Sequence, residues 1–164
     1  MDLFLLAPEI SIFGVAVLVI LLDLTSARKG WLVAASLVGL VLPLSFSIAL
    51  WGNVGETFGG MLVVDEFSLF FKFLFIGIAA MVILASSDYV GKFRRFQGEY
   101  YALILLSAGG MMLMAGTGEL ISIYIALELT SVSLAALTCF LKDVRSAEAA
   151  LKYIILSAIS SAVL

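Results

Sequence analysis

Long apolar runs separated by short polar connections dominate this sequence. Six such stretches are present, at about Pro8–Leu24, Trp31–Trp51, Phe67–Ser86, Tyr100–Ala115, Leu120–Leu141 and Ala147–Leu164. A helix needs about 20 apolar residues to cross the hydrocarbon core of a bilayer. Apolar residues make up 63% of the chain and charged residues only 13%, a balance that a soluble fold of 164 residues cannot bury. Most of the chain is therefore expected to lie in lipid.

The stretches predict an all-α membrane protein with six transmembrane helices. Backbone polar groups in lipid must be satisfied within helices or closed barrels, and barrel strands are shorter and alternate in polarity. Pro43 lies inside the second stretch and is predicted to kink that helix, because proline has no backbone N–H to donate. The sixth stretch reaches Leu164 without a cap or a charge, so the chain is expected to stop inside a membrane helix.

Basic residues are confined to alternate connections. The connections after the first, third and fifth stretches hold seven of them: Arg28, Lys29, Lys92, Arg94, Arg95, Lys142 and Arg145. The connections after the second and fourth stretches, residues 52–65 and 116–119, have none. Because basic loops remain in the cytoplasm, the N-terminus is predicted to lie on the outer side.

Composition excludes several classes of function. The chain has no histidine and a single cysteine, Cys139, which rules out haem ligation by histidine, histidine-based catalytic triads and a cysteine-held iron–sulfur cluster. The net charge of −3 provides no basic surface for nucleic acid. If the protein takes part in redox chemistry, its electrons are expected to travel elsewhere.

Glu128 is the strongest candidate for a functional residue. It lies near the middle of the fifth stretch, where a charge costs about 2.5–3.5 kcal/mol on insertion scales. Tyr124 lies four residues before it and Ser131 three residues after it, so the three share one helix face. We interpret Glu128 as a proton-transfer group, with Tyr124 and Ser131 as neighbours on its path. The alternative is a structural carboxyl that is hydrogen-bonded to another helix.

Lys152 has two possible roles that the spacing does not separate. With Ser146 as the predicted N-cap of the sixth helix, Lys152 lies about 8 Å along that helix, and Glu148 four residues earlier suits an ion pair. Lys152 is thus either a lysine that snorkels to the headgroups or a member of a proton path. In straight antiparallel helices its depth differs from that of Glu128 by about 12 Å, so no direct salt bridge between the two is predicted.

Three other charged residues are predicted to lie near the membrane surface. Lys72, early in the third stretch, is expected to snorkel to the outer face, and Glu9 and Asp23 lie near the two ends of the first stretch. The segment Gly116-Thr117-Gly118 has no third glycine of a dinucleotide fingerprint and no preceding strand, so it is predicted to be a turn between helices.

Several of these segments resemble a known family. The similarity covers Ala7–Glu9, Val63–Lys72, Ala126–Leu129 with the serines that follow, and Glu148–Ser161 with its double serine after Lys-Tyr. These segments are similar to the antiporter-like membrane subunits of proton-pumping NADH–quinone oxidoreductase, respiratory complex I, and to subunit N in particular.

The resemblance implies a fold and a role for the candidate residues. It implies that the chain is the N-terminal part of an antiporter-like helix bundle, with three N-terminal helices in residues 1–98 and the start of the first antiporter-like repeat in residues 99–164. The family's helix-5 glutamate maps onto Glu128 and its helix-6 lysine onto Lys152, both as proton-transfer groups. Further lysines of the family lie on later helices that this sequence does not contain.

The resemblance also implies partners and a location. Quinone reduction in partner subunits would drive proton transfer through this chain, which would itself hold no cofactor. NADH, flavin, iron–sulfur clusters and quinone are expected in those partners, which are other membrane-arm subunits of complex I, with the lipid bilayer around them and no nucleic acid. The bacterial inner membrane is the expected location, and an organelle inner membrane is the alternative.

Two other functions remain open from the sequence. The first is a subunit of a multisubunit sodium/proton antiporter, which shares the same ancestry. The second is a structural membrane subunit that transports nothing and anchors its partners, in which any polar residue that preserves assembly is expected to replace Glu128.

Overall fold

The protein is a bundle of membrane-length helices. The computed structural model describes residues 3–25, 30–52, 55–91 and 96–163. After a 3₁₀ turn at Leu3–Leu6, the helices are α1 (Ala7–Thr25), α2 (Leu32–Gly39), α3 (Val41–Ala49), α4 (Glu66–Val90), α5 (Gln97–Ala115), α6 (Leu120–Thr138) and α7 (Val144–Val163). With α2 and α3 counted together, six segments of the described chain are long and apolar enough to cross a membrane. The predicted six-helix membrane architecture is confirmed.

Pro43 interrupts the second membrane segment as predicted. Helix α2 ends at Gly39 and α3 begins at Val41, so the break falls four residues before the proline. Pro43 has no backbone N–H, so the carbonyl of Gly39 lacks the donor that it would have in a regular helix. A Cβ on Gly39 would overlap the side chain of Val15 in α1. The break therefore lies where the backbone of this segment packs closely against α1.

Helix α5 lies at the centre of the bundle. It packs against α1, α4 and α6. In its most apolar 18-residue segment 56% is buried inside the protein, compared with 17% for α6 and 11% for α7. A Cβ on Gly110 of α5 would overlap the Thr130 hydroxyl and contact the Ala126 carbonyl, so this glycine lets α6 lie against α5. The central helix thereby holds one face of α6 and leaves its opposite face for α7.

A short β-hairpin at one end of the bundle holds the turn between α5 and α6. Strand β1 (Gly55–Thr57) pairs antiparallel with β2 (Leu62–Val64). The Val63 N–H donates to the Gly116 carbonyl at 2.7 Å, and the Gly118 N–H donates to the Met61 carbonyl at 3.2 Å. Residues 116–118 thus form an inter-helix turn, and both connections that lack basic residues lie at the same end of the bundle.

The side of the membrane on which this end lies remains a prediction from charge. The basic residues at positions 28, 29, 92, 94 and 95 fall outside the described residues. Lys142 and Arg145 are described and are exposed at the start of α7, the end opposite the α5–α6 turn along α6.

Candidate functional site

Glu128 lies at the interface between α6 and α7. It is half-buried near the middle of α6, and its Oε1 accepts a hydrogen bond from the hydroxyl of Ser161, near the end of α7. The two helices are consecutive and joined by a short connection, and this hydrogen bond brings the last turn of α7 to the middle of α6. The polar stripe predicted on α6 therefore faces a helix that supplies a hydrogen-bond donor.

A small cavity adjoins the Glu128 carboxyl. Its volume is about 60 Å³, and it is lined by six residues of the two helices: Glu128, Ser131, Val132, Ile154, Ser157 and Ala158. Glu128 and two serines contribute polar groups to its wall, and its volume exceeds what one water molecule requires. Ser131 therefore lies beside Glu128, as its spacing predicts.

Ser161 lies beyond this cavity and borders a second one. Its side chain is more than nine-tenths buried, and its Oγ lies 3.0 Å from the Ser157 carbonyl oxygen. The second cavity, about 380 Å³, is lined by Leu120, Ile121, Tyr124 and Ser161. Tyr124 thus contributes to this larger cavity and is not among the residues around the smaller one. Sequence reasoning did not identify Ser161 as part of the site, because its partner Glu128 is 33 residues away in the sequence.

Lys152 lies on the exposed side of α7 and pairs with Glu148. Its Nζ is 2.6 Å from Glu148 Oε1, and the two side chains are 71% and 62% exposed in the isolated chain. Ser161 follows Lys152 by nine residues, about 13–14 Å along the helix axis. In the described part of the chain Lys152 therefore does not pair with Glu128, as the helical rise predicts.

The start of α7 differs from the prediction. Asp143, and not Ser146, is the residue before the helix: its Oδ1 accepts from the Ser146 N–H at 2.7 Å, and its own N–H donates to the Ser146 hydroxyl at 3.1 Å. This is a capping box in which the serine occupies the third helical position. Hydrogen bonds from the Ser146 hydroxyl and amide hold the pKa of the Asp143 carboxyl below its ordinary value of 3.8.

This cap predicts an acid-dependent contribution to stability. Because the folded pKa of Asp143 is the lower one, its contribution is complete above pH 3.8 and is lost as the pH falls through the folded value. We expect Asp143→Ala to lower the thermal midpoint of the purified subunit in detergent at pH 7. The difference in thermal midpoint between the variant and the unmodified protein should become smaller as the pH falls below 3.8. A difference that stays constant with pH would contradict the assignment of Asp143 as the cap.

Glu9 and Lys72 form a buried ion pair between α1 and α4. Lys72 Nζ lies 2.8 Å from Glu9 Oε1, and the side chains are 0% and 1% exposed, respectively. The predictions that Lys72 snorkels and that Glu9 is interfacial are therefore wrong. The contact lacks the angles of a hydrogen bond. In the described chain Lys72 Nζ and both Glu9 carboxyl oxygens therefore have no hydrogen-bond partner, and only the attraction between the two charges offsets the cost of burying them. Asp23, also predicted at the interface, is buried against Gly98 of α5.

An apolar cluster that includes residues of strand β2 lies at the hairpin end of the bundle. Its buried members are Leu5, Leu50, Leu62, Val64 and Leu69. Leu5 precedes Glu9 by four residues and Leu69 precedes Lys72 by three, so the cluster lies about one helical turn closer to the hairpin than the pair does. The ion pair thus lies along α1 and α4 between this cluster and the larger apolar core, which begins at Ile12 and Ile76 on these helices.

The segment that holds Glu128, Lys152 and Ser161 matches a known protein family. A family profile described as NADH:quinone oxidoreductase/Mrp antiporter, TM matches residues 117–164. NADH-quinone oxidoreductase subunit N of Dehalococcoides mccartyi is 48% identical over 166 residues, which cover 100% of this chain and 34% of the relative. The protein of the same name from Desulfitobacterium hafniense is 37% identical and covers 99% of this chain and 34% of its own length.

The chain belongs to the antiporter-like membrane subunit family of NADH-quinone oxidoreductase. The resemblance identified from the sequence is thereby confirmed. The chain spans about a third of the length of the curated relatives it matches.

The fold of this family is present in the described helices. Respiratory complex I from Thermus thermophilus with bound aureothin contains a chain that superposes with a TM-score of 0.76 at 31% identity. The match covers 94% of this chain and 34% of that one. The helix bundle described above is therefore an antiporter-like subunit fold, placed in a membrane by its six apolar segments.

Proposed function

We propose that this chain is part of a proton-translocating membrane-arm subunit of NADH:quinone oxidoreductase, in which Glu128 and Lys152 transfer protons. The observation that carries the proposal is the environment of Glu128: a carboxyl at mid-helix depth, bound to a hydroxyl and bordering a small cavity that two serines also line. Intramembrane carboxyls in such positions commonly belong to proton relays.

The partner of Glu128 permits both protonation states of the carboxyl. A serine hydroxyl can donate to a carboxylate and can accept from a carboxylic acid, so the contact survives the gain or loss of a proton. Glu9 offers a contrast, since its carboxyl lies 2.8 Å from the ammonium group of Lys72, which can donate a hydrogen but cannot accept one. We therefore assign proton exchange to Glu128 and a structural ion pair to Glu9.

We further propose that Lys152 is a separate station on the path. A lysine suits this role because its ammonium group can lose a proton, whereas an arginine stays charged. In the structure its charge is balanced by Glu148, and its position on the exposed side of α7 suits contact with other helices of the assembled subunit. Transfer between Lys152 and Glu128 requires water or another residue, because Lys152 lies nine residues along α7 from Ser161, which contacts Glu128.

A Lys152→Arg variant separates charge from proton exchange. Arginine keeps the positive charge beside Glu148 but does not release its proton, so we expect the complex to assemble and proton transfer through this subunit to slow on the order of 100-fold. The measurement is NADH-driven proton uptake by vesicles. Lys142→Arg, on the connection before α7, is the matched control. Equal proton uptake by the Lys152→Arg variant and the unmodified complex would remove Lys152 from the path.

The proposal extends to partners, cofactors and location. The partners are other membrane-arm subunits, and NADH, flavin, iron–sulfur clusters and quinone belong to partner subunits. The lack of histidine and the single cysteine support a chain without a redox centre. Residues 1–98 would form the N-terminal helices and residues 99–164 the start of an antiporter-like repeat. The bacterial names of the relatives support the bacterial plasma membrane. The N-terminus outside is the orientation that the basic connections predict.

A sodium/proton antiporter subunit is the second candidate. The profile that matches residues 117–164 carries both names in its description, and this segment holds the whole candidate site. Relatives that align over nearly the whole chain are named subunit N, which favours the first proposal. Sodium-dependent pH recovery in a strain without antiporters would support the second candidate, and proton uptake driven by NADH without sodium would support the first.

The direct test of the first proposal is Glu128→Gln in the assembled complex. NADH-driven proton translocation is expected to fall. The same substitution at Glu119, near the start of α6, is expected to have little effect.

A further inference from the structure

Ser161 is positioned between Glu128 and the larger cavity of the α6–α7 interface. Its hydroxyl binds the Glu128 carboxyl, and its side chain also lines the cavity that includes Tyr124. We propose that the Ser161 hydroxyl passes protons between Glu128 and this cavity. The inference rests on the proposed function of Glu128 and adds the group through which its proton enters and leaves.

The hydroxyl has the two acceptors that a relay requires. Ser161 Oγ carries one hydrogen and lies within hydrogen-bond distance of both Glu128 Oε1 and the Ser157 carbonyl oxygen, the latter at 3.0 Å. When Glu128 is ionised, the hydrogen is directed to the carboxylate. When Glu128 is protonated, its O–H donates to Ser161 Oγ, and the serine hydrogen rotates to the Ser157 carbonyl.

The transfer step conserves protons. A water molecule in the larger cavity gives one proton to Ser161 Oγ, while the original Ser161 O–H bond breaks and its proton forms an O–H bond on Glu128 Oε1. The carboxylate becomes a carboxylic acid, the serine remains neutral, and the water is left as hydroxide or is reprotonated by its neighbours. The reverse sequence releases the proton, and rotation of the hydroxyl resets the serine.

The direction of this path follows from the residues around the larger cavity. Leu120 and Ile121 are the first two residues of α6, so the cavity reaches the end of the bundle at which the hairpin holds the α5–α6 turn. Glu128 lies eight residues further along, about 12 Å deeper. Ser161 thus connects a mid-membrane carboxyl to one membrane surface. Ser131 and Ser157 line the smaller cavity instead.

The test compares three variants of the assembled complex in membrane vesicles. Ser161→Ala removes the relay, Ser161→Thr keeps a hydroxyl, and Ser160→Ala is a matched control at the exposed neighbouring position. We expect Ser161→Ala to slow NADH-driven proton translocation about tenfold to 100-fold, the rate equivalent of one hydrogen bond to a charged group. Ser161→Thr should recover most of the rate, and Ser160→Ala should match the unmodified complex.

A spectroscopic readout separates a relay from a packing role. Loss of the serine hydrogen bond should shift the infrared carbonyl band of protonated Glu128 to higher frequency in Ser161→Ala and leave it in place in Ser160→Ala. If Ser161→Ala does not assemble, Ser161→Cys, with a weak thiol donor of similar size, takes the same test. An unchanged rate in the hydroxyl-free variant, or equal losses in Ser161→Ala and Ser161→Thr, would overturn the relay. If Glu128→Gln kept full translocation, the proposed function itself would fail.

Discussion

A complex with Glu128→Gln is expected to move fewer protons per NADH oxidised than the unmodified complex. Glutamine has nearly the shape of glutamate and accepts the Ser161 hydrogen bond, so the α6–α7 interface should persist. The amide cannot take up a proton at any physiological pH. We therefore expect proton transfer through this subunit to slow on the order of 100-fold, the scale at which a positioned acid or base contributes. Proton uptake and NADH oxidation are followed together in sealed vesicles.

Two further variants distinguish a proton-transfer role of Glu128 from a structural one. Glu119→Gln makes the same change at the residue before α6, where the carboxyl accepts a hydrogen bond from the nearby Ser122 hydroxyl at 3.3 Å. Glu128→Asp keeps a titratable group and should retain part of the rate. A purely structural role predicts the opposite order, because glutamine preserves the hydrogen bond and the shorter aspartate does not. Full proton uptake by an assembled Glu128→Gln complex would exclude Glu128 from the path.

Breaking the Glu9–Lys72 pair is expected to have the largest effect on stability. Both side chains are essentially inaccessible, so Lys72→Met leaves the Glu9 carboxylate buried without a counter-charge. Removing one member of a buried pair typically costs about 3–5 kcal/mol. The predicted result is a large drop in the thermal midpoint of the purified subunit and poor incorporation into the complex.

The double replacement distinguishes loss of the pair from loss of side-chain volume. In Glu9→Met with Lys72→Met no buried charge is left, and such apolar replacements are often neutral or stabilising. We expect this variant to regain the stability that Lys72→Met loses and to keep proton translocation, because the pair is assigned no proton exchange. If the double variant were as unstable as Lys72→Met, shape and not charge would be the main contribution at this position.

The sequence predicted those features that depend on a single helix. The six apolar stretches, the interruption at Pro43 and the shared face of Glu128 and Ser131 follow from helix length and rise alone, and the structure contains each of them. The same rise predicts that Glu128 and Lys152 do not pair. These features require no knowledge of which helices are neighbours.

Features that depend on contacts between helices could not be predicted from helix length and rise. Ser161 is 33 residues from Glu128, and Glu9 and Lys72 are separated by two intervening helices, so only the packing brings each pair together. A comparison of depth would have suggested the second pair, since Glu9 lies in the first turn of α1 and Lys72 in the second turn of α4. The hairpin was not predicted, because strands of three residues are too short to show the alternation of polar and apolar residues that indicates a strand.

The most direct measurement of the central claim is the protonation state of Glu128 during turnover. Infrared difference spectra of the assembled complex, recorded before and after addition of NADH, report carboxyl groups that gain or lose a proton. We predict a carbonyl band of protonated carboxyl that changes on NADH addition, is absent in Glu128→Gln and persists in Glu119→Gln. Identical difference spectra for the unmodified complex and Glu128→Gln would mean that Glu128 keeps one protonation state throughout, and would contradict the proposal.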